Sequence, residues 1–216
     1  MSGPLAHAAF RTTAWGRTAG FVGNGMAPVA LSFAVLDLTG SVTQLGLVVG
    51  ARSLAAVATT LFGGVLADRF PRRMLLRGTS FGAAVTQTAA GLSLLGGVAS
   101  VQLLMLLSAL NGAFAAVELP TTTALVAQTV PPDLLRRANA LLRTLTGIAT
   151  VCGAAAGSVL IAWAGPGWGI LADAVSFAVA GEFFGRIRLT ATPRGAGRRS
   201  LLGDLRAGRE EFFRHR

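Results

Sequence analysis

Four charged side chains interrupt long apolar runs in this 216-residue chain: Arg52, Glu118, Arg143 and Asp173. Glu182 stands near the end of the last such run. If the runs lie in hydrocarbon, each mid-membrane charge costs about 2.5–3.5 kcal/mol on insertion scales and needs an opposite charge or a wet cavity. Glu118 precedes Leu119-Pro120, and Pro120 removes a helical hydrogen bond, so a kink is expected beside the carboxylate. Burial disfavours a charged carboxylate, which suits Glu118 to taking up and releasing a proton. The other reading is a static pair of Glu118 with Arg52 or Arg143 that holds helices in register. Asp173 falls about a turn and a half inside its run, where pairing near an interface is equally open. Asn24, Gln87 and Asn111 are candidates to line a polar cavity, although such residues more commonly join spans by hydrogen bonds. Met26, Met74, Met105 and Phe114 read as packing residues.

The sequence offers little for covalent chemistry. A single cysteine, Cys152, excludes an intrachain disulfide framework and a thiolate metal cluster. The two histidines, His7 and His215, stand near opposite ends of the chain. There is no H-E-x-x-H, no P-loop and no G-x-S-x-G. An enzyme is therefore not expected, nor is a cofactor or a bound metal. Gly147, Gly153 and Gly157 lie in an apolar run and are expected to pack helices together, not to cradle phosphate.

The elements that must position these residues follow from composition. Apolar residues make up 52% of the chain and charged residues 13%, about half the ~25% of a soluble domain. Mean hydropathy is +0.61. All 19 basic residues are arginine, against 9 acids, for a net charge of +10. A disordered chain would be poorer in apolar residues. A soluble nucleic-acid binder would spread its charge over a polar surface, so nucleic acid is not an expected partner. Six stretches approach the ~20 apolar residues that span a bilayer: about 14–36, 44–66, 74–95, 103–127, 139–163 and 167–185. The links between them are short, and too little polar chain remains to build a soluble shell. A signal peptide does not fit the first stretch, which runs on through Pro28 to Leu38.

The arginines sort by link. Arg11 and Arg17 fall in the N-terminal arm, Arg69, Arg72, Arg73 and Arg77 after the second span, and Arg136 and Arg137 after the fourth. Nine more follow the sixth span. The links around Thr39–Thr43, Gly96–Ser100 and Ala164–Gly167 have none. The positive-inside rule then puts both termini in the cytoplasm of a multi-pass cytoplasmic-membrane protein. Trp15, Trp163 and Trp168 stand at interface depth. The excess charge reads as a topology signal and an attraction to anionic lipid.

The link after the second span reads Gly63-Gly64-Val65-Leu66-Ala67-Asp68-Arg69-Phe70-Pro71-Arg72-Arg73. It resembles the signature loop of the major facilitator superfamily, G-x-L-A-D-R-x-G-R-R, with Pro71 where glycine is usual. GARSL in the second span, ELPTTTALV and VPPDLLRRANAL around the fourth link, and ADAVSF in the sixth span resemble the drug- and siderophore-exporter branch. The resemblance covers nearly the whole chain. It implies an all-α membrane protein whose six spans form two three-helix inverted repeats, one half of a major facilitator fold. It implies export of small hydrophobic or amphipathic molecules, by proton antiport with alternating access. Gly64, Asp68, Arg69, Arg72 and Arg73 then match the loop that governs conformation, with Asp68 the latch between halves in one transport state. Read alone, Asp68 could pair with Arg72 or Arg73 or face a helix N-terminus, and the loop could be a basic lipid anchor.

The family pattern is broken at Ala154, where a hinge proline is common, and at Ser108, where a buried arginine is common. It is broken again at Asn24, where relatives often carry an acid. Residues 1–189 are thus expected to form the six-span bundle. Residues 190–216 are expected to form a basic tail with a short amphipathic helix through Leu201, Leu202, Leu205, Arg209, Phe212 and Phe213. Membrane lipids, a small-molecule substrate and a second six-span half or a second copy are the expected partners. The alternative is a non-transporting remnant or a regulatory partner half.

Overall fold

The computed structural model describes residues 3–187, with the side chains of residues 61–69 left aside. Six long helices follow one another: α1 (Ala8–Thr39), α2 (Val42–Arg69), α3 (Arg72–Leu95), α4 (Val101–Val126), α5 (Leu135–Ala164) and α6 (Pro166–Gly185). The expected amphipathic tail lies outside the described residues.

Local chemistry sets the helix ends. Gly40 closes α1 with a left-handed φ of 63°, and its N–H donates to Leu36 O at 2.7 Å. Ser100 caps α4 by accepting from the Leu103 N–H at 3.2 Å. Pro166 opens α6 directly after Gly165, whose φ of 90° makes the reversal out of α5. Pro28 and Pro120 lie inside α1 and α4, so neither helix is broken at its proline. Hydroxyls near the prolines bond back to the helix: Ser32 donates to Pro28 O at 2.8 Å and Thr122 to Glu118 O at 2.9 Å.

Five of the helices contain segments long and apolar enough to cross a membrane. The exception is α3, expected as a span over 74–95. Its Thr79, Ser80, Thr86, Gln87 and Ser93 are buried, and the helix packs between α4 and α6. Polar atoms hidden inside a bundle lower a helix's hydropathy without facing lipid. Several satisfy themselves on their own helix, as Thr79 does by donating to Leu75 O at 3.0 Å.

In the bundle α1 lies against α5 and α6, α3 against α6 and α4, and α4 against α2. One apolar cluster, around Ala30, Val35, Val48, Leu104 and Ile170, fills the end away from the Arg72–Arg73 corner. Two others fill the arginine-rich end, one around Phe10, Val126 and Leu142, the other around Leu76, Leu125 and Phe184. Small residues allow the close approaches. A Cβ at Gly153 would come within 3.0 Å of Val22 Cα, and one at Gly157 within 2.8 Å of Met26 Cγ, so α1 and α5 nearly touch there. Gly147 differs from the expected packing role: a Cβ there meets nothing within 4 Å. It lies six residues before Gly153, which at 3.6 residues per turn is roughly a third of a turn away from the contact face.

Candidate functional site

The intramembrane charges fall into two groups at different depths. Near the arginine-rich end, Glu118 of α4 faces Arg17 of α1, and the two charges interact through space without a direct ion-pair contact. Arg17 is only 9% exposed, its Nε has no hydrogen-bond partner, and its guanidinium stands 5.2 Å from the centre of the Phe21 ring. Thr13, Thr121 and Thr122 are buried in the same zone. Glu118 itself is partly buried.

This corrects two expectations. Arg17 lies inside α1, not in an N-terminal arm, and the arginine buried at the depth of Glu118 is Arg17, whereas Arg52 lies deeper and Arg143 is exposed. Depth explains it. Arg17 is nine residues from the start of α1, and Glu118 is eight from the end of α4 at the same end of the bundle. Arg52 is 17 residues from that end of α2, roughly 13 Å deeper than Glu118 at 1.5 Å per residue. Arg143 has the right depth, but it is exposed on α5 and makes no ion pair among the described residues.

The second group lies in the opposite half. Asp173 of α6 is fully buried and accepts a hydrogen bond from Gln87 Nε2 of α3. Its Oδ1 has no partner and lies against Gly23 of α1, where any Cβ would also meet Ser176 Cβ at 2.7 Å. Only glycine leaves room for the carboxylate. Arg52 of α2 is near enough for its charge to act on Asp173. Arg52, Gln87, Ser108 and Asn111 border a small enclosed cavity with Ala27, Leu31 and Ile170. Asn111 is 2% exposed, and neither of its amide heteroatoms has a partner among the described residues. Asp173 was open to a partner near the interface; the structure puts it about two turns inside α6, paired with an amide. Asn24 is partly buried on α1, between Gly23 and Gly25.

At the arginine-rich end, α3 holds two other helices by their C-termini. Arg72 Nη1 donates to Ala124 O of α4 at 2.8 Å, and Arg73 Nη2 donates to Gly185 O of α6. Guanidinium donors there meet carbonyls left unpaired by the helix ends, on the negative side of each macrodipole. Gly64, Asp68 and Arg69 belong to α2, and their side chains are outside the described ones. Glu182 sits between Arg77 at 3.8 Å and Arg186 at 3.9 Å, all more than half exposed.

Nothing here forms a nucleophile–base constellation, and no group of three or more His, Cys, Asp or Glu able to hold a metal occurs among the described residues. A family model, that of the Major Facilitator Superfamily, matches residues 13–216. Comparison with curated proteins gives no significant match.

Proposed function

Because the chain belongs to the Major Facilitator Superfamily, a family of membrane transporters, we propose that it exports small hydrophobic or amphipathic molecules by proton antiport with alternating access. The observation that carries this reading is the placement of the buried Arg17 of α1 and of Glu118 of α4 at matching depth near one end of the bundle. A carboxylate at the depth of a buried guanidinium can be balanced by that charge or by a proton, and each choice changes what the surroundings must compensate. Asp68, with Gly64, Arg69, Arg72 and Arg73, acts in this proposal as the latch that marks one transport state.

The inverted-repeat reading is supported by the packing. Exchanging α1–α3 with α4–α6 turns α1 against α5 into α4 against α2, and α1 against α6 into α4 against α3. Asn24-Gly25 and Asn111-Gly112 correspond, 87 residues apart. Gly25 lies on the α5 backbone at Thr150, and Gly112 on the α2 backbone at Arg52. A shift of 86 residues carries the Phe81–Gly181 contact onto the Gly167–Leu95 contact, and carries Gln87–Asp173 onto itself.

A second six-span unit fits the exposed faces of α2 and α5, which show Leu54, Val57, Ile148, Val151 and Val159. Exposed Arg143 shares the α5 helix and would meet a water-filled cavity between halves better than lipid. The arginine-rich end is assigned to the cytoplasm by the positive-inside rule.

The test is efflux of a lipophilic cationic dye from proteoliposomes bearing a proton gradient, with the chain alone and with any encoded second half. Gradient-dependent dye movement that Glu118→Gln and Asp68→Asn abolish is the expected result. Movement unchanged in both variants removes the proton-antiport reading.

A further inference from the structure

We propose that the cavity between Arg52, Gln87, Ser108 and Asn111 is a binding site for one water molecule. That water completes a polar chain running from Asn111 and Arg52 through Gln87 to Asp173. The cavity holds about 10 Å³, the room a single water needs. Its walls bring together α1, α2, α3, α4 and α6, so whatever occupies it joins five helices at one depth.

The occupant is identified by what is left unpaired. Asn111 lacks a partner on both Nδ2, a donor, and Oδ1, an acceptor. A bare cation would satisfy only the oxygen. Water satisfies both, accepting from Nδ2 and donating to Oδ1 or to another acceptor in the wall. Arg52 argues further against a cation, since its guanidinium already supplies positive charge beside the cavity. An anion would meet Arg52 well, but it would stand next to the Gln87-bound carboxylate of Asp173. An empty cavity would leave buried amide atoms unsatisfied, and dry cavities are apolar.

One link of the chain is a direct hydrogen bond, and the others meet at the cavity wall. Gln87 borders the cavity and donates to Asp173 Oδ2. Asn111 borders it from α4, with Ser108 one turn away on the same helix. The water therefore links α2 and α4, through the amide of Gln87, to the Gln87–Asp173 contact that joins α3 to α6. This site is separate in depth from the Arg17–Glu118 pair and does not depend on that pair's role in coupling.

X-ray radiolytic labelling of the full chain in detergent tests it, since radicals born from a bound water oxidise the side chains beside it. Leu31 and Ile170 line the cavity, whereas Val35 and Leu104 belong to the same cluster away from it; Ile170 and Leu104, 2% and 1% exposed, are the pair matched in burial. We expect Leu31 and Ile170 to be oxidised at least fivefold faster than Val35 and Leu104, and the excess to vanish in Asn111→Leu. Should that variant fail to fold, Ser108→Ala takes its place, with a reduced excess expected. Equal labelling of the four residues in the unsubstituted chain overturns the proposal. So does an excess that disappears when sodium replaces potassium at constant ionic strength while thermal stability rises, because the site would then hold the ion.

Discussion

Gly153→Ala and Gly147→Ala make the same chemical change on the same helix, and the structure assigns them opposite signs. A Cβ at residue 153 would sit 2.9 Å from the carbonyl carbon of Val22 and 3.0 Å from its Cα. Carbon atoms rest about 3.5–4.0 Å apart, so α1 and α5 must separate by at least ~0.6 Å. The obstacle is backbone, which cannot rotate away as a side-chain tip would. Overpacking of this kind costs about 1–3 kcal/mol. At residue 147 the new methyl enters open space, and what remains is the penalty of a glycine inside a helix, whose removal gains about 0.5–1 kcal/mol. Both variants gain the same helix propensity, so they should differ by the overpacking cost alone, about 1–3 kcal/mol. Reversible unfolding in mixed micelles, titrated with denaturing detergent and followed by tryptophan fluorescence, measures both. Two variants that both lose stability equally, or a Gly153→Ala that is neutral, would refute the close approach of α1 and α5.

The Arg17–Glu118 pair should show coupling in a double-mutant cycle. Glu118→Gln alone leaves the buried Arg17 uncompensated, at up to about 3–5 kcal/mol, and Arg17→Met alone leaves the partly buried Glu118 and should cost less, while the double variant should recover more than 1 kcal/mol of the summed loss; strict additivity in the unfolding titration would show that the two do not interact. At the arginine-rich end, Arg72→Gln removes a charged hydrogen bond to Ala124 O and should cost about 1.5–3 kcal/mol. Arg186→Gln removes only a long, exposed contact with Glu182 and should cost under about 1 kcal/mol. Equal losses in thermal unfolding would deny Arg72 its role at the end of α4.

Much of the fold is written in hydropathy and in link chemistry. The six apolar stretches fall within or along the six helices, and Gly40, Ser100 and Pro166 mark ends that a reader of the sequence can find. The pairing of charges is harder, because hydropathy gives depth but not azimuth. Depth alone sets Arg52 apart from Glu118, yet it leaves Arg17 and Arg143 equal; the side each takes on its helix separates them, Arg17 turned into the bundle and Arg143 out of it. Arg17 was also hidden by its setting, since arginines near a first span read as part of a flanking arm. Gly147 was grouped with Gly153 and Gly157 by proximity in the chain, whereas helical rotation separates it from them. The cavity around Asn111 needs five helices to define it, so no single stretch of sequence announces it. One signal was available: Asn24-Gly25 and Asn111-Gly112 repeat at a fixed offset, the trace of a duplicated packing corner.

The proposed transport requires a bundle that crosses the bilayer with its arginine-rich end inward. Single cysteines at Phe70 and Val98, both exposed links at opposite ends of α3, can be placed in a Cys152→Ala background and treated with a membrane-impermeant maleimide in intact cells. Val98→Cys should react at once and Phe70→Cys only after the membrane is opened. Labelling of Phe70→Cys in intact cells, with Val98→Cys protected, would contradict the orientation and the positive-inside assignment on which it stands.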